Sequence, residues 1–142
     1  MRKLKNSELN RIDISTFKSI KKTPLIVVLD DIRSLNNVGS IFRTCDAFKI
    51  EKLYLCGITA TPPNRKITKT AIGATESVEW LYNDNIYDLI SELKNQGFKV
   101  WAIEQTENSK TLSEMEMIEI NTKHVLIFGN ELNGVKQDVV NN

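Results

Sequence analysis

Three features of this 142-residue chain predict an α/β fold, a mostly parallel sheet flanked by helices. Strand-like and helix-like segments alternate along it, as they do where each helix crosses over to the next parallel strand. The first apolar run, Leu25-Ile26-Val27-Val28-Leu29, is continuous and β-branched, the pattern of a strand covered on both faces. This run leads into a polar turn and a helix start, and Leu126-Ile127-Phe128 leads into a polar turn that contains glycine. Open parallel sheets place their ligands at such carboxyl ends.

The elements follow in order. Residues 1–23 read as a basic arm and residues 24–142 as one domain, long enough for a core of its own. Within residues 1–22, seven Lys or Arg face only Glu8 and Asp13, a net of +5; the other 120 residues carry 12 basic and 16 acidic side chains, a net of −4. A basic arm ahead of a mildly acidic domain suits a polyanion such as nucleic acid. The competing reading is a solvated amphipathic helix with Leu4, Leu9, Ile12 and Ile14 packed down.

After the first strand, Val38, Ile41, Phe42, Cys45 and Phe48 recur at threes and fours, the apolar face of a helix. Asn37 falls near its N-cap. Residues 52–56 are a second strand closed by Gly57, and Pro62 and Pro63 make residues 58–70 a long loop. A helix carrying Ile86, Leu89, Ile90 and Leu93 ends at Gly97, and a strand at 98–103 follows with the polar end Glu104-Gln105-Thr106. Residues 109–120 read as a short helix, then an extended piece at 117–120. The last strand is 124–128, and 135–140 begin another helix.

Several chemistries lack their signatures. Cys45 and Cys56 have no CxxC spacing and read as buried free thiols, and His124, opening a strand, reads as structural. There is no G-x-G-x-x-G, no Walker pattern and no HExxH, so a dinucleotide, a nucleoside triphosphate or a metal is not expected. No apolar run is long enough to span a membrane, and no secretory signal opens the chain. A soluble cytoplasmic protein without a membrane partner is the expectation.

The remaining polar residues gather at the strand ends. Asn37 and Arg43 are six residues apart, about 600° of helical rotation, which turns Arg43 off the apolar line. Its guanidinium offers a planar fork suited to phosphate or carboxylate. Glu131, in Gly129-Asn130-Glu131-Leu132-Asn133-Gly134, is a natural carboxylate partner. A purely structural alternative stands beside this one: an Arg43–Glu131 ion pair with Asn37 as a helix cap.

The segment Leu35-Asn36-Asn37-Val38-Gly39-Ser40-Ile41-Phe42-Arg43-Thr44-Cys45-Asp46-Ala47-Phe48 closely resembles the first motif of the SpoU class of RNA ribose methyltransferases, in the knotted SPOUT superfamily. Three further segments resemble that family in order: Lys69-Thr70-Ala71-Ile72-Gly73-Ala74, Ala102-Ile103-Glu104-Gln105, and residues 126–135 as the second motif. The resemblance covers about residues 24–140. It implies methyl transfer from S-adenosylmethionine to a ribose 2′-hydroxyl of tRNA or rRNA, leaning to tRNA, and a homodimer in the full-length form. It implies catalytic roles for Arg43, Asn37 and Glu131, cofactor contacts at Gln105, Gly129 and Asn130, and RNA contacts at Arg33, Arg65, Lys66 and Lys69. The guanidinium is a poor proton acceptor, so Arg43 is expected to orient ribose and phosphate and to stabilise negative charge.

The family's third motif, a knot-forming segment rich in Ser, Leu, Asn and Val behind an Ile-Pro pair, is not matched. On that ground the chain reads as a C-terminally truncated domain with weak or no activity and an exposed apolar sheet face. The alternative from another class is a non-catalytic RNA-binding module of the same fold. It would not need Asn37, Arg43 and Glu131 together. A generic nucleotide-binding α/β protein lacks a phosphate loop.

Overall fold

The computed structural model describes residues 1–111, 113–114 and 122–141. Its strands are β1 (Thr23–Asp30), β2 (Ile50–Cys56), β3 (Trp80–Asn83), β4 (Lys99–Ile103) and β5 (His124–Phe128). Its α-helices are α1 (Ile14–Ser19), α2 (Leu35–Ala47), α3 (Arg65–Ala71), α4 (Ala74–Ser77), α5 (Ile86–Asn95) and α6 (Gln137–Val140). The five strands form one sheet in the order β3-β2-β1-β5-β4, and every pairing is parallel.

The β-branched run of β1 is apolar throughout because both of its faces are covered. Val27 and Leu29 join Phe42 and Cys45 of α2, Ile67 and Ala71 of α3, and Leu53 and Leu55 of β2. Ile26 and Val28 point the other way, into Leu89 and Leu93 of α5 with Val125 and Ile127 of β5. Each such side chain contributes about 1.5–3 kcal/mol by leaving water. Burial also raises the thiols of Cys45 and Cys56 to about 12, as suits inert core cysteines.

From β1 the chain moves outward to β2 and β3, then crosses through α5 to the opposite side for β4 and β5. Helices α2, α3 and α4 therefore line one face and α5 and α6 the other. The change of direction falls between β1 and β5, and ligands of open α/β sheets bind beyond such a switch point. Over β5 and β4, on the face of the sheet that also carries Val27 and Leu29, a groove of about 770 Å³ is lined by Leu25, Trp101, Ile103, Leu126 and His124. Trp101 Nε1 donates to His124 Nδ1 at 3.0 Å inside it, a structural use of the imidazole.

Several elements differ from the sequence reading. Residues 58–70 are not one loop, because Asn64 caps α3 through its side chain and Ile67 and Ala71, four residues apart, fix one face of that helix in the core. Helix α2 begins earlier than expected: Ser34 is its N-cap, accepting from the Asn37 amide at 3.3 Å, so Asn37 lies in the first turn. Phe48 follows the helix as its C-cap and is 66% exposed instead of packed. The final helix is shorter than 135–140, starting at Gln137. Strand β3 and helix α4 have no counterpart in the sequence reading. In the arm, Leu4, Leu9, Ile12 and Ile14 are exposed, and the side chain that packs down is Phe17 of the short helix α1. Of the segment read as helix and extended piece at 109–120, residues 112 and 115–120 lie outside the described residues.

Helices α2 and α3 approach at Gly39. A Cβ there would lie 2.0 Å from Thr70 Oγ1 and 2.4 Å from the Ile67 carbonyl oxygen. Thr70 Oγ1 donates to the Asn36 carbonyl at 3.2 Å, which draws α3 against the first turn of α2. Gly39→Ala adds about 1 kcal/mol of helix propensity but about 1–3 kcal/mol of overpacking against backbone. Denaturant unfolding should show a net loss of up to about 2 kcal/mol, and a variant more stable than the parent would contradict the close approach.

Candidate active site

The loops after β1 and β5 are joined by one carboxylate. Glu131 Oε2 accepts from the Arg33 amide at 3.0 Å, and Oε1 accepts from the Ser34 amide at 3.0 Å and from Asn37 Nδ2 at 3.0 Å. Three donors on one carboxylate, two of them backbone, fix where α2 starts relative to the loop after β5. Partial burial by itself would raise the Glu131 carboxyl, but the amides of Arg33 and Ser34 and the Asn37 side chain outweigh it and hold it below its ordinary range.

The loop that carries Glu131 is closed on itself. The amide and carbonyl of Asn130 pair with those of Gly134, at 3.0 and 2.8 Å. Asn130 Oδ1 accepts from the amides of Leu132 and Asn133, and its Nδ2 donates to the Asp31 carbonyl at 2.7 Å. Both ends of that side chain are therefore engaged in holding the loop. Gly129 is required by proximity: a Cβ there would come within 2.2 Å of the Gly134 and Val135 backbone. The end of β4 joins through Glu104, which accepts from the Val135 and Gln105 amides at 2.9 Å each, and those two amides lower its carboxyl.

Arg43 lies farther along α2. Asn37, Ser40 and Arg43 follow at spacings of three on its exposed side, while Val38, Phe42 and Cys45 are buried on the other. No Arg43–Glu131 ion pair forms among the described residues, since the three donors above already occupy the carboxylate. The structural alternative of an ion pair with a capping Asn37 is thereby replaced: Ser34 caps, Asn37 bonds Glu131, and the guanidinium faces solvent.

The cationic residues anticipated for RNA are exposed on two elements. Arg33 stands in the turn after β1, and Arg65, Lys66 and Lys69 stand on α3, beside the first turn of α2. Gln105 is exposed at the end of β4 and Gly129 is half-buried at the end of β5. Asp31, at the strand end where the sequence places a ligand, and Lys136, which no motif marks, also belong to the site. Asp31 takes a left-handed backbone with φ of +56°, a conformation in which Asp is enriched. Lys136 lies 3.1 Å from Asp30 Oδ1 and 2.9 Å from Asp31 Oδ2. The paired aspartates at the end of a buried strand were a signal for Asp31; nothing local in the sequence marks Lys136.

Residues 24–142 match the family model described as the SpoU rRNA Methylase family. The chain belongs to that family. It is 32% identical over 130 residues to an uncharacterized tRNA/rRNA methyltransferase of Borreliella burgdorferi, covering 91% of this chain and 54% of that protein. It is 32% identical over 124 residues to a tRNA (guanosine(18)-2'-O)-methyltransferase of Aquifex aeolicus, covering 84% and 55%. Among solved structures, the Aquifex aeolicus TrmH/SpoU tRNA modifying enzyme superposes with a TM-score of 0.74 at 27% identity, over 90% of this chain and 62% of that one. An S-adenosylmethionine-bound rRNA methyltransferase of Sinorhizobium meliloti gives 0.76 at 23% identity, over 89% and 48%, a likeness of fold. This family member spans about half the length of the curated relatives it matches.

The contacts of Glu131 carry a pH dependence with a definite sign. A carboxyl held below its unfolded value supplies its contacts fully above that value and loses them as the pH falls through the native one. The amide resonances of Arg33 and Ser34 should therefore move with a midpoint below the ordinary value of 4.5, and Glu131→Gln should abolish the movement. A midpoint at or above 4.5 would contradict the three-donor arrangement.

Proposed function

We propose that the protein transfers a methyl group from S-adenosylmethionine to a ribose 2′-hydroxyl of tRNA or rRNA, acting in the cytoplasm. The observation that carries this reading is the Glu131 carboxylate bound to Asn37 in the first turn of α2, with Arg43 exposed and unpaired among the described residues two turns on. Those are the three residues to which the family resemblance attaches catalysis. Membership of a family of RNA methylases, and curated relatives named for tRNA and rRNA 2′-O-methylation, support the substrate class.

The strand ends suit such a cofactor chemically. A sulfonium is a cation, and Asp30, Asp31, Glu104 and Glu131 gather there against Lys136 and Arg33. Gln105 and Gly129 would hold it, one with an exposed amide side chain, the other with no side chain between ligand and backbone. Asn130 would serve it indirectly, by shaping the loop. When bound, the cofactor supplies an already activated methyl group.

The residues of the chain then supply orientation and charge. Arg43 would hold the ribose and its neighbouring phosphate and stabilise negative charge on O2′ as the hydroxyl proton leaves. Neither charged group is a good base: the guanidinium does not accept a proton, and Glu131 is held below the usual carboxylate range by its donors. Asn37, fixed by Glu131, would set the start of α2 beneath the ribose. Arg33, Arg65, Lys66 and Lys69, with the basic arm at 1–23, would follow the phosphate backbone, each contact adding to the salt dependence of binding. A homodimer is proposed on the resemblance alone.

Arg43→Ala should reduce RNA methylation by at least about a hundredfold while the calorimetric affinity for S-adenosylmethionine stays within about threefold. Full activity in that variant would remove Arg43 from the mechanism.

A further inference from the structure

Asp31 is where the loops after three strands meet. Its amide donates to the Cys56 carbonyl at the end of β2, at 3.2 Å. Its Oδ1 accepts from the Ile58 amide at 2.9 Å, and its Oδ2 pairs with Lys136 Nζ at 2.9 Å. Its carbonyl accepts from Asn130 Nδ2 at 2.7 Å. One residue thus binds the loop after β2 by two contacts and the loop after β5 by two more. Lys136 extends the tie to Asp30, which is 1% exposed and whose second oxygen is buried without a hydrogen-bond partner.

These contacts sit directly behind the carboxylate that organises the site. Asn130, which Asp31 holds, is the neighbour of Glu131, and Lys136 closes the same loop from its far end. Asp31 and Lys136 are 27% and 39% exposed at their side chains, so their ion pair is worth little in global stability. Position is another matter, because a displacement of about 1 Å in a reacting constellation can cost about a hundredfold in rate. A pair with a small stability effect and a large lever arm on Glu131 points to geometry as its purpose.

We propose that Asp31 and Lys136 are positioning residues: their ion pair registers the loop after β5 against the loop after β1, and so sets where Glu131 meets Asn37 and the amides of Arg33 and Ser34. The kinetic part of this proposal rests on the methyl-transfer reading; the geometric part does not.

Asp31→Asn is the sharpest probe. It keeps an acceptor for the Ile58 amide, tolerates the left-handed backbone, and leaves Lys136 paired with Asp30, while removing the charged Lys136–Asp31 contact. Its thermal midpoint should stay within a few degrees of the parent. Its Arg33 and Ser34 amide resonances should shift, and kcat should fall about ten- to a hundredfold with the RNA KM and the cofactor affinity unchanged within about threefold. Lys136→Met should shift the same resonances, and Lys136→Arg, which still reaches both carboxylates, should restore them together with kcat. Unmoved resonances in Asp31→Asn, shifted resonances with an unchanged kcat, or a loss in Lys136→Arg equal to that in Lys136→Met would each overturn the proposal. Full methylation by Arg43→Ala, or no RNA methylation by the parent protein, would instead overturn the functional reading; the resonance shifts then decide the registration alone.

Discussion

The site depends on a carboxylate that has no freedom left. Glu131 comes from the loop after β5, and everything it binds belongs to the other side of the switch point: the amides of Arg33 and Ser34 and the side chain of Asn37. An exposed glutamate ordinarily samples several rotamers, and its ordering costs free energy. Here three donors converge on two oxygens, two of them from a turn already fixed by the capping of α2 through Ser34. Without this carboxylate Asn130 and Lys136 would still hold the loop after β5 to Asp31, but no described contact from that loop would bind the start of α2 at Ser34 and Asn37.

The sheet makes that convergence possible. Because β1 lies beside β5 and the crossovers diverge between them, the turns after those strands are neighbours at the switch point of the sheet. The second support is Asp31 with Lys136, which ties the ends of β1, β2 and β5 from behind. A third comes from Glu104 at the end of β4, through the Val135 amide. Four of the five strand ends are therefore coupled by side-chain contacts to backbone groups or to Lys136. The result is a set of fixed carboxylates at the strand ends beside the exposed cations Arg43 of α2 and Arg65, Lys66 and Lys69 of α3.

Much of the fold could be read from residues alone because its core obeys simple periodicities. The run at 25–29 has the composition of a doubly covered strand, and Ile86, Leu89, Ile90 and Leu93 trace one face of α5; the structure buries all four of those helical residues. Other elements could not be read so. The four residues of β3, only half-buried at best, carry too short and too exposed a pattern to announce a strand, and they are ordered by pairing with β2. Helix α3 was hidden by Pro62 and Pro63, which end just before its cap. At the site, polar residues at strand ends marked the place, but hydrogen-bond partners are tertiary facts. Ser34 took the capping role that spacing gave to Asn37, and Asn130 turned out to hold its own loop. Lys136 is invisible locally, since its meaning comes from aspartates more than a hundred residues earlier.

The most direct test of the account is a double-mutant cycle on Asn37→Ala and Glu131→Gln, read in both unfolding free energy and RNA methylation rate. If Glu131 acts through the geometry it imposes on Asn37, the two losses overlap, and the coupling should reach about 0.5–3 kcal/mol in stability, with the double variant scarcely slower than the worse single one. Additive losses in both measurements would contradict it, because they would mean that Glu131 and Asn37 work independently.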